Sequence, residues 1–340
     1  MNRQVAITLS SLISVVILAY FAADMDWAAF TDAFARLDWR YGLMLFGFST
    51  LLLFIRALRW RVLLPSDRSY DTMTLFQASV VGQFAIWVMP LRAGEFIRPW
   101  VLKKLDGVSY SAALASIVTE RIFDLLAMLT FFGLVLLKLE NTPALVKAGA
   151  GVLGTAAICG AAFMIAAYIF GERLSTWCSN ILEKLLAKRF PQAVRSIEGI
   201  IDEFVRGVCA ISSAKEFALA IMWSLVYWLF IALLYQCGLW AFGQFPTFWV
   251  GMTLNVFVAV AVALPSAPGF IGVFELGCVA ALSGMYGYPE AFTLSYAVIM
   301  HGTQFLACVV LTLLVLRARG MALGQIFTEA RTPSAPQPAV

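Results

Sequence analysis

The 340-residue chain is 61% hydrophobic and 13% charged, with a mean hydropathy of +0.86 and a formal net charge of +4. A soluble domain carries roughly a quarter charged residues and a disordered chain is polar and charge-rich, so both classes are excluded. The small charge, with no basic stripe interleaved with aromatics, also argues against nucleic acid as a partner.

The apolar residues fall in runs near the length of about 20 that crosses a bilayer as a helix. Val5 to Ala23 is long for a signal peptide, lacks a convincing small-x-small cleavage site and precedes further spans, so it reads as a helix that stays. Tyr41 to Ile55 follows and ends at Arg56, Arg59 and Arg61, read here as the start of a basic loop reaching Asp71. Thr74 to Met89 has only 16 residues, holds Gly82 and Gln83 and stops at Pro90. Ser111 to Leu137 is long but interrupted by Glu120, Arg121 and Asp124. Ala148 to Phe170 is rich in small residues that suit close helix packing. Gly171 to Lys215 is polar, with apolar stripes at Leu174, Trp177, Ile181, Leu185 and at Val194, Ile197, Ile201, Phe204, Val208, Ile211. That spacing predicts a cytoplasmic amphipathic helical hairpin on the membrane surface, a partner-binding helix being the sharper alternative. Glu216 to Phe242 is a further span, Phe248 to Leu264 is short and stops at Pro265, Ile271 to Met285 is short again, and Pro289 to Leu316 is the last span. The Pro-bearing tail, residues 321–340, is expected to be disordered. The six cysteines form no Cys-x-x-Cys and read as small buried hydrophobes.

Loop charge sets the orientation. The segment Asp24 to Arg40 has four Asp against two Arg, Arg56 to Asp71 has four Arg, and Gly171 to Lys215 has seven Lys/Arg. These counts place both termini in the cytoplasm provided that the short stretches do not each cross once. The expected fold is therefore all-α and polytopic, with six full transmembrane helices and two re-entrant helical hairpins, near 74–104 and 248–285, entering from opposite faces as an inverted repeat. Residues 1–320 form one transmembrane domain in this reading. The breaks carry a faint echo of each other: Met89-Pro90-Leu91-Arg92-Ala93-Gly94 and Leu264-Pro265-Ser266-Ala267-Pro268-Gly269 both read Pro-x-x-x-Gly after an apolar half-span, 175 residues apart. Broken backbone at membrane depth needs protein or water to satisfy it, so paired breaks point to a cavity.

The candidate binding residues are the charges in and around these breaks: Arg92, Glu95, Arg98, Glu120, Arg121, Asp124 and Glu275. A helix starting at Arg92 would align Arg92, Glu95 and Arg98 at spacings of three. Charges at that depth cost several kcal/mol unless paired or wet. They form either a structural network, such as Arg92 or Arg98 with Glu120 or Asp124, or a pocket in which arginine forks hold a phosphate. Glu275 is the single acid between Glu216 and Glu290, and its partner is expected from the first hairpin. Pro90, Gly94, Pro265, Pro268, Gly269, Gly272, Asn255, His301 and Gln304 are expected to line the cavity, His301 and Gln304 reading first as interhelical hydrogen-bonding groups. No metal or cofactor is expected. No P-loop, Gly-x-Ser-x-Gly or His-Glu-x-x-His motif occurs.

The three motifs Pro90-Leu91-Arg92-Ala93-Gly94-Glu95-x-x-Arg98, Glu120-Arg121-x-x-Asp124 and Pro265-x-x-Pro268-Gly269-x-x-Gly272-x-x-Glu275 resemble, in order and spacing, the lysylphosphatidylglycerol synthase transmembrane region, also called the flippase-like domain. The resemblance covers about residues 5 to 320. It implies a lipid-handling membrane domain, which in bifunctional members moves an aminoacylated phospholipid to the outer leaflet and in others accompanies glycosyltransferases or hopanoid and isoprenoid-lipid pathways. No soluble aminoacyl-transfer domain follows the last span here, which counts against lysylphosphatidylglycerol synthesis by this chain. The expected function is translocation of a polar-headgroup lipid between leaflets, without enzymatic activity. The alternatives are an enzyme or accessory subunit of lipid or glycolipid biosynthesis and a structural membrane anchor. A membrane lipid is the expected substrate, a lipid-biosynthesis enzyme and a second copy of the chain are candidate partners, and a bacterial inner membrane is the expected location.

Overall fold

Helix starts and stops follow local chemistry. In the computed structural model, which describes residues 26–35, 38–65, 68–89, 94–138, 162–186, 213–264 and 266–324 with a few isolated positions besides, all the regular structure described is helical. The helices are α1 (Trp27–Ala35), α2 (Trp39–Leu63), α3 (Thr72–Val88), α4 (Ile97–Asp106), α5 (Tyr110–Lys138), α6 (Glu172–Leu186), α7 (Ala214–Ala241), α8 (Phe248–Ala263), α9 (Val273–Tyr286) and α10 (Glu290–Arg319). Four segments are long and apolar enough to cross a membrane: Arg40–Leu63, Ala214–Ala241, Pro268–Tyr286 and Glu290–Arg319. Large apolar side chains stay exposed along them, among them Leu43, Leu229, Leu313 and Leu314. That is the surface of a multi-pass protein facing lipid. Nearly all of the expected span Val5 to Ala23, residues 148–154, 156–158 and 161 of the expected span Ala148 to Phe170, and residues 325–340 of the tail lie outside the described residues.

The chain forms two compact units. The first comprises residues 1–57, 71–110 and 229–340, and the second residues 58–70 and 111–228. The second unit has a core of Leu63, Phe123, Met164, Ala167, Val205 and Ala220. On α6, Leu174 and Ile181 are half-buried whereas Trp177 is exposed. The rest of the expected amphipathic hairpin falls largely outside the described residues.

In the first unit, α3 packs on α4 and α8 on α9, and α10 packs on both α3 and α9. The two helix pairs share one construction. α3 starts at the Asp71 N-cap, whose carboxylate accepts the Thr74 N–H at 2.8 Å. It ends at Met89, extended at ψ 137° before Pro90, and α8 ends at Leu264, extended at ψ 147° before Pro265. Proline excludes the helical conformation from the residue before it, which is why both helices stop there. A 3-10 turn follows in each, at 94–96 and at Pro268–Phe270. Each return helix then ends in a left-handed glycine, Gly107 at φ 68° and Gly287 at φ 69°, the usual C-terminal stop. The expected helix from Arg92 is corrected by this turn: Arg92 lies outside the described residues, Glu95 sits in the 3-10 turn, and the α-helix begins at Ile97.

Close approach holds each pair together. A Cβ on Gly94 would lie 2.1 Å from the backbone of Ala85 and Ile86, one on Gly82 would lie 2.6 Å from the Arg98 Cβ, and one on Gly277 would lie 2.8 Å from the Val258 Cα. Across the open end of the second pair, the hydroxyls of Thr253 and Tyr286 share a hydrogen bond of 2.9 Å. Cys237, Cys278 and Cys308 are buried, as read from the sequence, whereas Cys159 is exposed and Cys178 half-buried, which corrects that reading for these two.

Candidate functional site

Two clusters of buried polar groups stand out, one in each unit. In the second unit the last turns of α2 bring Arg59 to α5. Arg59 Nη2 donates to Glu120 Oε1 at 2.7 Å and Nη1 to Asp124 Oδ1, and both Arg59 and Glu120 are fully buried. Trp228 on α7 donates its indole N–H to the same Asp124 oxygen at 2.9 Å, and the Arg59 guanidinium lies 4.4 Å from the centre of the Tyr227 ring. Arg121 reaches Asp124 Oδ2 at 3.1 Å and Glu120 Oε1 at 3.2 Å. Two arginines and two carboxylates thus form a formally neutral knot. Buried charges persist when paired and hydrogen-bonded in this way.

The sequence reading singled out Glu120, Arg121 and Asp124 as candidate headgroup-binding residues or members of a structural network. It missed Arg59. Arg56, Arg59 and Arg61 are not loop residues: α2 continues to Leu63, with Arg56 and Arg59 buried. The physical reason is that the helix carries its cations to acceptors inside the protein, Arg59 to the two acids and Arg56 Nη1 to Gln83 Oε1 on α3. A cation spacing of three, Arg56 to Arg59, was the available signal.

In the first unit the break between α8 and α9 is built around Glu275. Its Oε2 accepts the Gly272 N–H at 2.6 Å, closing the start of α9, and its Oε1 lies 2.7 Å from His301 Nδ1 on α10. His301 Nε2 lies 2.6 Å from the Gly269 carbonyl oxygen. Gly269 and Gly272 hold φ of 76° and 88°, backbone that side-chain-bearing residues rarely adopt. The partner expected for Glu275 from the first hairpin is therefore corrected to His301, which reaches it because α10 packs alongside α9. His301 makes the interhelical bond expected of it, whereas Gln304 donates to Met300 within its own helix.

The geometry fixes a proton inventory. A carbonyl oxygen only accepts, so Nε2 must carry hydrogen. Nδ1 then either donates to a Glu275 carboxylate or accepts from a Glu275 carboxylic acid. Both bonds coexist only while the pair holds one proton beyond an ionised Glu275 and a neutral His301.

The tip of this second helix pair meets the end of α3. The Trp87 ring lies 6.1 Å from Phe270, 4.9 Å from His301 and 5.5 Å from Phe305. Phe274 stacks on His301 at 4.5 Å. Trp87 was not singled out in the sequence, where one of ten tryptophans carries no distinguishing mark. Arg98 is buried at the start of α4, Glu95 is half-buried, and Asn255 is buried on α8. Pro90 and Pro265 lie outside the described residues, as does Arg92.

Residues 7–312 match the family described as the lysylphosphatidylglycerol synthase TM region. The chain belongs to that family. Among curated proteins it is 25% identical over 278 residues to Glycosyltransferase AglD of Haloferax volcanii, covering 74% of this chain and 44% of that protein, so it spans less than half of that relative's length. Two proteins of Methanothermobacter thermautotrophicus named UPF0104 membrane protein are also similar. One is 24% identical over 299 residues, 83% of each chain, and the other 23% identical over 278 residues, 78% of this chain and 81% of the relative. These relatives are archaeal and do not carry the expectation of a bacterial membrane. No solved structure matches the chain.

Proposed function

We propose that the protein is a lipid translocator, in which two helical hairpins enter the membrane from opposite faces and meet tip to tip, and that it moves a lipid with a polar or charged headgroup between leaflets. The observation that carries this reading is the meeting of the α3 end with the α8–α9 turn at Trp87, Phe270 and His301. At 17 and 16 residues, α3 and α8 are about 25 Å long, short of the roughly 30 Å hydrocarbon core. Paired broken helices meeting at their tips are the arrangement in which transporters hold cargo near the midplane. In this reading the headgroup sits at the tips while the acyl or prenyl chains remain in lipid. Arg92 and Arg98 on the first hairpin supply cations for a phosphate, and the Glu275–His301 pair governs the tip of the second. Glu120, Asp124 and Arg121 are assigned to the structural knot with Arg59. Six full spans and the two hairpins account for the charge asymmetry of the loops.

Candidate cargoes are phospholipids, aminoacyl-phospholipids and lipid-linked sugars. Similarity to a relative named a glycosyltransferase favours the last of these and supports a second reading, in which the chain is an accessory or enzymatic part of glycolipid assembly. Reconstitution separates the two. Proteoliposomes carrying each lipid class should show headgroups appearing in the opposite leaflet without any change in lipid mass. The variants Arg92→Ala and Glu275→Gln should slow this at least tenfold with helicity retained. Chemical conversion of the lipid would establish the second reading, and unimpaired transfer by both variants would defeat the site.

A further inference from the structure

The second unit holds a cavity of about 390 Å³ that plays no part in the tip site, enclosed by the end of α2, the segment after it and the start of α7. Its lining is graded. Leu58 and Val62 on α2 and Leu219 and Trp223 on α7 make an apolar wall. Arg61, Arg68 and Glu216 line it at the helix ends, with Arg61 and Arg68 exposed to solvent. The gradient follows from the sequence. α2 carries Arg61 in its last turn and ends before Pro65, while α7 begins after Ser213 with Glu216 in its first turn. Both helices belong to segments long and apolar enough to cross a membrane. Leu58 lies about 7.5 Å from the end of α2 and Trp223 about 13.5 Å from the start of α7, at 1.5 Å per residue.

We infer that this cavity binds a membrane phospholipid of single negative charge, its phosphodiester held by Arg61 and Arg68 and its acyl chain laid on Leu58, Val62, Leu219 and Trp223. Guanidinium groups donate paired hydrogen bonds to phosphate oxygens, and basic pockets at the ends of membrane helices take anionic headgroups. Among the described lining residues the charges of Arg61, Arg68 and Glu216 sum to +1, which matches one phosphodiester. The Arg68 guanidinium is stationed 5.2 Å from the Tyr70 ring centre, and the N-terminal end of α7 adds its partial positive charge. The volume suits a headgroup and glycerol backbone, leaving the remaining acyl length in the bilayer. This site does not depend on translocation, and its test reads binding alone.

The test uses the full chain in nanodiscs of phosphatidylcholine doped with phosphatidylglycerol bearing brominated acyl chains, which quench nearby tryptophan. The Trp223 signal is taken as the difference from Trp223→Phe. Half-quenching is expected at a mole fraction roughly tenfold lower for brominated phosphatidylglycerol than for brominated phosphatidylcholine, and Arg61→Gln/Arg68→Gln should erase that preference. Native mass spectrometry, counting phosphatidylglycerol retained by wild type and by the double variant, decides the matter if Trp223→Phe fails to fold. Equal quenching by the two lipids, or a preference that survives the double variant, overturns the proposal. Displacement by glycerol phosphate at the same concentration also overturns it, by assigning the pocket to a water-soluble phosphate.

Discussion

Arg59 shows what a single residue contributes to this molecule. It holds two carboxylates at full burial, with the Tyr227 ring beside the guanidinium. Replacing it with methionine keeps the volume and the apolar stem but leaves Glu120 and Asp124 buried against each other, with only Arg121 to compensate. Breaking a buried pair by removing one partner costs about 3–5 kcal/mol, so Arg59→Met should lower the unfolding temperature in detergent markedly. Adding Asp124→Asn should recover part of the loss by removing the second buried charge. If Arg59→Met unfolds like wild type, the knot is not what holds α2 to α5. The pairing was half legible in the sequence. The acids and Arg121 are neighbours on one helix, so spacing alone brings them together. Arg59 lies 61 residues from Glu120, and its spacing of three from Arg56 marks a helical face without naming the partner. The same holds for His301 and Glu275, each noticed alone but joined only by helix packing.

At the scale of elements, the glycines of the helix pairs make graded predictions. Gly94→Ala sets a Cβ 2.1 Å from backbone atoms that cannot swing aside, whereas Gly277→Ala meets a Cα at 2.8 Å, and Gly133 on α5 has nothing within 4 Å. Overpacking costs about 1–3 kcal/mol. Gly94→Ala should therefore be the most destabilised, Gly277→Ala intermediate, and Gly133→Ala neutral or better, since alanine is the stronger helix former. Thermal unfolding of the three in one detergent ranks them. The start of the first pair carries a pH signature. Asp71 accepts the Thr74 N–H and hydroxyl, and these bonds hold its carboxyl below the ordinary carboxylate range. A group whose folded value is depressed adds stability above its unfolded pKa and loses it as pH falls through the folded value. Wild type should therefore lose stability in acid below about pH 4, and Asp71→Asn, which keeps an acceptor, should flatten that part of the profile. The Pro breaks of both pairs were legible because proline acts locally. The tip contact at Trp87 was not, because an aromatic side chain declares no partner in one dimension.

For the molecule as a whole, the decisive quantity is the side of the membrane on which each hairpin opens. The return helices α4 and α9 have 10 and 14 residues, about 15 and 21 Å against a hydrocarbon core of roughly 30 Å, and α9 makes a segment long enough to cross, Pro268–Tyr286, only with the 3-10 turn before it. In the proposed reading a chain that enters on α3, turns at 94–96 and leaves on α4 comes back to the face it left, and the second pair, of the same construction, does likewise. Opposite entry is the part of that proposal that the tip contact supports, because two short hairpins touching by their ends reach each other most directly from opposite faces. Single cysteines introduced at Ser69 and Ser109, with the native cysteines replaced, should both react with a membrane-impermeant reagent from the cytoplasmic face, and those at Gln244 and Tyr288 from the outer face. Labelling of positions 69 and 109 from different sides would mean that the first pair crosses the bilayer, and the tip-to-tip reading would fall with it. Labelling of all four from one side would keep the hairpins but remove the inversion, leaving the contact at Trp87 to be made by two loops dipping side by side.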